Sequence, residues 1–341
     1  MRQVRTKDSR KKKKKKLSFK MFIAFLVFEI IFTGATGPFM LYYGPFENAR
    51  NTMVGAAMTT LSHQWIATAF LPKERIDEIL SQNKIEDITQ NTGDDGGEIE
   101  LKDNYDDTIE RYEIDGNSFT GYLLVIKDPK RVKVGYSSKL GKAGETTSKI
   151  AKTNNAIAAI NAGGFTDESA SGKQWTGNGG LPTGIIMSKG KIIYNDYEND
   201  SVKDDIVAMT KEGLLLVGKH SISDLKKKGA TDAISFGPAL IVNGKKTITS
   251  GDGGWGKAPR TAIGQRKDGA ILLLTIDGKQ IKRLAATLRD VQDVLYDNGA
   301  YTASNLDGGS STTMYFDGKV INEPDSALGE RSIPSVIYVE P

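Results

Sequence analysis

The sequence predicts an α+β protein: a mixed, largely antiparallel β-sheet core with a few helices, preceded by an N-terminal transmembrane helix and a helical stalk. Three observations carry that expectation. Short β-rich runs recur through residues 111–341 with turn signals between them. Helical spacing in the same stretch is confined to a few places. Ahead of it, a mostly apolar run from Met21 to Tyr43 follows a block of lysines. At 341 residues the chain is long enough for one large domain or two ordinary ones.

Residues 1–20 form a basic tail, with 11 Lys/Arg and one Asp. Against a net charge of +4 for the whole chain, that tail leaves −6 for the rest. A nucleic-acid partner is therefore not expected, because the basic surface would have to lie on the folded part. Residues 21–43 are long enough to cross a bilayer core, which takes roughly 20 apolar residues. Lysines on the N-terminal side predict a cytoplasmic tail, a single-pass signal anchor and an extracellular body at the cell membrane. Glu29 interrupts the run and costs free energy there unless neutral, snorkelling or paired. Ala35-Thr36-Gly37 offers a cut site for a signal peptide, but the run continues apolar past it. With no cysteine in the chain, disulfides, thiolate nucleophiles and Cys-ligated metals are excluded, and a Gram-positive surface is compatible.

Residues 44–85 read as two helices leaving the membrane, a stalk able to recruit a protein partner; Pro72 opens the second. Residues 86–110 turn acidic and read as a solvated linker, since their spacing lacks the EF-hand pattern. The folded domain covers 111–341. Strands are expected at Tyr122–Ile126, Val132–Tyr136, Ala156–Asn161, Gly184–Met187, Lys191–Tyr194, Leu214–Val217, Ala239–Val242, Ala270–Ile276, Thr312–Phe316 and Ser335–Val339. Ser188-Lys189-Gly190 and Asn243-Gly244 mark hairpins. Helices are expected at Thr146–Thr153, Ile222–Lys227 and Ile281–Asn298.

Four glycine-punctuated stretches follow apolar strands: Asn161-Ala162-Gly163-Gly164-Phe165, Ser235-Phe236-Gly237-Pro238, Pro259-Arg260-Thr261-Ala262-Ile263-Gly264 and Asn305-Leu306-Asp307-Gly308-Gly309-Ser310-Ser311. Each alone reads as a turn. Four in one domain, two of them carrying Arg260 and Asp307, point to a site where a ligand approaches the backbone closely. A serine hydrolase built on Ser310 or Ser311 fails for want of a base: His63 falls in the stalk and His220 in a Lys-rich edge.

These blocks, with the Asp277-Gly278 pair, the expected helix Leu284–Leu295 and the closing strand Pro334–Val339, resemble the phosphodiester glycosidase family over roughly Ala151 to Pro341. The resemblance implies cleavage between an anomeric carbon and a phosphate oxygen, with a carbohydrate phosphodiester as substrate. It casts Asp307 as nucleophile, base or electrostatic partner of the anomeric carbon. Arg260 becomes a planar fork for the phosphate oxygens, and Gly308 and Gly309 offer backbone N–H groups. Asp277, Glu168 and Glu330 are candidates for the second carboxylate, Asp277 alternatively being a type I′ turn residue. Asn161, Gly163, Gly164, Gly237, Thr261 and Ser310 are expected around the substrate, with Trp175 and Trp255 stacking on sugar. Ser310 stands where the family commonly has a third glycine. No cofactor or resident metal is expected, a divalent ion such as calcium being left open. On the outer face of a bacterial-type membrane the implied substrates are glycosyl phosphates of teichoic acid, capsule or exopolysaccharide. The competing readings are a non-catalytic surface protein that binds anionic wall polysaccharide, or one that assists exopolysaccharide assembly.

Overall fold

The computed structural model describes residues 19–58, 64–90, 98–101, 106–166, 178–278, 285–325 and 329–341. The basic tail up to residue 18, His63, Glu168 and Trp175 lie outside them. One helix, Phe19–Tyr43, is long and apolar enough to cross a membrane, and nearly all its side chains are exposed. A membrane anchor and a signal sequence both have this form.

The stalk expectation changes. Helices Glu47–Met58, Trp65–Thr68 and Lys73–Ser81 fold back into a compact cluster with the last turn of the apolar helix, burying Tyr42, Val54, Ala57, Leu71, Ile76 and Ile79. Tyr42 stacks on Phe70 at 5.0 Å, and its hydroxyl donates to the Ile66 carbonyl. Helices this short are marginal alone, so burial of their apolar faces has to hold them. The cluster also docks on the body. A Cβ on Gly55 would lie 2.5 Å from the Gly254 carbonyl oxygen, and one on Gly256 would lie 2.6 Å from the Ala56 Cβ.

The acidic segment is not a free linker either. Ile85 bridges Ile248 in antiparallel fashion, Glu86 N donates to Thr247 O at 2.8 Å, and buried Gln90 bonds both Leu215 O and Val217 N. Composition suggested solvation, but main-chain pairing does not require apolar side chains.

Three antiparallel sheets make the body. The largest runs in the order Ile109–Asp115, Thr120–Ile126, Ile271–Ile276, Arg260–Arg266, Ala300–Leu306, Ala239–Val242, Lys245–Lys246. A second has the order Lys319–Val320, Met314–Phe316, Ala158–Asn161, Ser335–Val339, Val132–Tyr136. The third has the order Lys191–Asn195, Ile185–Ser188, Ala230–Ser235, Asp204–Thr210, Leu215–His220. One core draws Leu273, Ile160, Ile337 and Val207 from all three. The other face of the largest sheet packs on helix Leu288–Asp297 through Leu288, Val291 and Leu295. Burial on both faces explains why Ile271–Ile276 reads as a continuous apolar run.

Both hairpin turns have paired positive φ angles, at Lys189 and Gly190 and at Asn243 and Gly244, as type I′ geometry demands. The helix expected from Ile281 begins at Leu288, because Thr287 and Asp290 form a capping box there. Just before it, Ala258 and Ala286 pair as an isolated bridge, which keeps residue 286 extended. Residues 281–284 lie outside the described set. The sequence reading omitted the central strand Arg260–Arg266, whose Arg, Thr, Gly and Gln mask its strand character.

Candidate active site

The four glycine stretches come to one end of the sheets and are tied together by hydrogen bonds. Arg260–Arg266 and Ala300–Leu306 are neighbouring antiparallel strands, with Thr261 opposite Leu306. Arg260 and Asp307 therefore leave the same end of one ladder. Asp307 N donates to Ala162 O at 3.0 Å, and Gly309 N to Pro259 O at 2.8 Å. Asn305 Nδ2 donates to Gly237 O at 3.0 Å. Gly164 lies against Phe236 and Thr183, where a Cβ would come within 3.2 Å of the ring and 2.9 Å of the Thr183 hydroxyl. Gly163 N donates to Ser335 Oγ at 3.0 Å.

Glycine is required differently at the two positions after Asp307. A Cβ on Gly308 would sit 2.8 Å from Pro259 O, so close approach is what matters there. Gly309 has φ +59 and open space where a Cβ would go, so conformation matters. Its N–H is already bonded to Pro259, which removes it from the expected anion contacts.

Asn161 is fully buried. Its Oδ1 accepts from Thr261 Oγ1 at 2.7 Å and from Thr313 N at 3.1 Å, while Nδ2 donates to Asp307 O. Thr261, also fully buried, lies 3.4 Å from Thr312 Oγ1. The pair ties loops together: its polar atoms bond protein groups directly beneath Asp307.

Arg260 is 5% exposed. Its Nε donates to Ala286 O at 3.2 Å, and Nη2 to Trp255 O at 3.1 Å and Gly256 O at 2.6 Å. Burial pushes its pKa down to about 10, opposed by Asp252 and Asp290, so it stays charged at neutral pH. The guanidinium lies 5.9 Å from the Trp255 ring centre. Two of its nitrogens thus hold main-chain carbonyls where the sequence reading has them hold phosphate. That leaves a cation fixed under the loop rather than an open fork.

Asp277 is buried beyond the end of the neighbouring strand. Neither it nor Gly278 has a positive φ, so the type I′ turn reading fails. Its Oδ1 accepts from Asn322 Nδ2 and Glu323 N, both at 3.1 Å, yet burial still raises its pKa. Of the other carboxylate candidates, Glu330 accepts from Ser148 N at 2.8 Å at the start of helix Thr147–Thr153. His220 is buried, with its pKa lowered by desolvation.

Sequence reasoning missed Arg331. Its Nη1 donates to Ser310 Oγ at 3.1 Å, and its guanidinium lies 4.7 Å above the Phe165 ring. The only signal was an isolated Gly329-Glu330-Arg331 just before the closing strand. The serine that replaces the third glycine is its partner.

Trp255 meets Phe236 edge-to-face at 6.2 Å, and both line a 290 Å³ cleft with Gly237. Among the described residues no group of three or more His, Cys, Asp or Glu could hold a metal ion.

Comparison with known proteins places the chain by family and fold. The chain is 29% identical over 203 residues to the SPbeta prophage-derived uncharacterized protein YomE of Bacillus subtilis (strain 168). That match covers 57% of this chain but only 29% of the longer relative. Among solved structures, it resembles the catalytic domain of zebrafish N-acetylglucosamine-1-phosphodiester alpha-N-acetylglucosaminidase, auto-inhibited by its pro-peptide. There the TM-score is 0.58 with 23% identity, covering 71% of this chain and 86% of that one, and the likeness shows a shared fold. Residues 154–340 match the phosphodiester glycosidase family itself, more than half of the sequence. The chain belongs to the phosphodiester glycosidase family.

Proposed function

We propose that this protein hydrolyses glycosyl-1-phosphodiesters in cell-surface polymers such as teichoic acid, capsule or exopolysaccharide, outside the membrane that its apolar helix would anchor it to. The observation that carries this reading is the convergence of the other three glycine stretches on the segment around Asp307, through bonds from Asp307 to Ala162, Gly309 to Pro259 and Asn305 to Gly237.

In this reading Asp307 faces the anomeric carbon and stabilises its positive charge as the bond to phosphate breaks. Cleavage of a glycosyl phosphodiester at the anomeric carbon releases a phosphate monoester, a good leaving group, so binding its charge matters more than protonating it. Arg331, partly buried beside Ser310, supplies the fork to the departing phosphate. Arg260 contributes a fixed positive charge from beneath and holds the Trp255 loop. Asp277, its pKa raised by burial, is the second carboxylate.

Full-length protein in detergent, supplied with hexosyl and N-acetylhexosaminyl 1-phosphodiesters, should release free sugar. Binding without release would favour the polysaccharide-binding alternative, which gains from Arg260 being engaged internally. Accessibility of the body to trypsin in intact cells tests the outward orientation. Full protection would contradict it.

A further inference from the structure

We infer that the cleft between Trp255 and Asp205 is the sugar subsite of the same active centre, and that it selects a neutral or cationic polyhydroxylated ring by reading hydroxyls with two carboxylates. This rests on the proposed function. The cleft has a volume of 290 Å³, with Thr183, Asp204, Asp205, Phe236, Gly237 and Trp255 among its walls. It shares its Gly237 wall with the Asn305 amide, two residues before Asp307 on the same strand. It shares Thr183 and Phe236 with the face on which Gly164 packs.

Its chemistry suits a sugar and not a phosphate. Trp255 and Phe236 offer an aromatic corner for the C–H face of a ring. Asp204 and Asp205 would repel an anion, whereas carboxylates accept strong hydrogen bonds from hydroxyls. Both are held in place. Asp204 Oδ2 accepts from Tyr197 O–H at 2.8 Å, and Tyr197 also lies 2.7 Å from Ser235 Oγ. Asp205 Oδ2 accepts from Lys219 Nζ at 2.8 Å. Gly237 must be glycine for Asp205 to sit there, since a Cβ would lie 2.7 Å from the Asp205 Cβ. No arginine is in its lining: Arg331 donates to Ser310 Oγ and Arg260 to the Trp255 main-chain carbonyl, while the one lysine at Asp205, Lys219, is paired with that carboxylate. The charge pattern thus sets the orientation of the substrate, with sugar hydroxyls toward Asp205 and phosphate toward Arg331.

A smaller cavity of 160 Å³ continues the cleft past Asp205 along residues 85–88. Ile85, Asp205 and Pro238 are common to both cavities. Residues 85–88 therefore wall an extension of the cleft, where the next unit of a polymer substrate would lie.

The test is binding of free monosaccharides to the full-length protein, read by ligand-observed NMR, with glucose, galactose, N-acetylglucosamine and N-acetylgalactosamine each offered. At least one should bind, and Asp205→Asn, which keeps the shape against Gly237, should weaken it by about tenfold or more. Lys246→Gln, whose ion pair with Asp293 lies outside both cavities, should change binding little, and thermal unfolding checks that both variants are folded. Binding that survives Asp205→Asn together with Asp204→Asn overturns the assignment, as does a protein to which none of the four binds. Sugar binding that depends on Asp205, in a protein that hydrolyses no phosphodiester, would keep this subsite and discard the catalytic reading.

Discussion

Two arginines lie next to the glycine-rich loops, and they do opposite work. Arg260, in the block that the family resemblance rests on, is buried and donates to the carbonyls of Trp255, Gly256 and Ala286. Arg331, isolated in the sequence, is partly buried, donates to the Ser310 hydroxyl beside Asp307-Gly308-Gly309 and lies over the Phe165 ring. The difference teaches that a recognisable arginine need not be the one that meets the ligand. A buried guanidinium must satisfy its N–H groups inside the protein, which fixes its environment and ties it to the fold. A partly exposed one can exchange water for phosphate.

Substitution should separate the two roles. The largest effect is expected from Arg260→Met, which removes the donor to the Trp255 and Gly256 carbonyls and one of the two donors to Ala286 O. Stability should fall by about 2–4 kcal/mol, seen as a clear drop in Tm, with activity lost alongside it. An unchanged Tm would break the comparison. Arg331→Gln should lower Tm less than Arg260→Met does and raise KM by about tenfold or more, since its main loss is a charged contact to substrate. Equal loss of Tm in both variants would show that both arginines are scaffold. Ser310→Gly removes the small side chain whose hydroxyl Arg331 meets, and should raise KM by about two- to tenfold.

The buried carboxyl of Asp277 gives a pH signature of smaller size. Its folded pKa lies above its unfolded value, so the protonated form is favoured on folding. The stability it contributes is present below the unfolded pKa and is lost as pH rises through the folded one. Asp277→Asn should flatten that part of the stability–pH curve in chemical unfolding. A curve identical to the parent's would show that Asp277 is not perturbed.

The core was legible because its strands are apolar and separated by glycine turns. Val132–Tyr136, Ala239–Val242 and Ser335–Val339 fall where the pattern places them. Arg260–Arg266 and Ala300–Leu306 were not, because the strands that build the site carry polar residues for it. The site was legible as a set of blocks, since Gly308 and Gly309 answer to backbone constraints visible in sequence. Roles within it were not. Whether Asn161 faces a ligand or a neighbouring loop depends on Thr261 and Thr313, which are distant in the chain. The stalk and linker were misread for a related reason. Glu47–Met58 docks through the absence of side chains at Gly55 and Gly254, and residues 85–90 through main-chain bonds, one glutamine amide and only two apolar side chains, Ile85 and Ile88, spaced among acidic residues.

The claim on which the rest depends is that Asp307 directs attack at the anomeric carbon. Hydrolysis of an N-acetylhexosaminyl or hexosyl 1-phosphodiester in water enriched in oxygen-18 tests it, with mass spectrometry of both products. Cleavage at the anomeric carbon places the label in the sugar, and Asp307→Asn should lower the rate by about a hundredfold or more. Label in the phosphate, or a full rate in Asp307→Asn, would contradict the account.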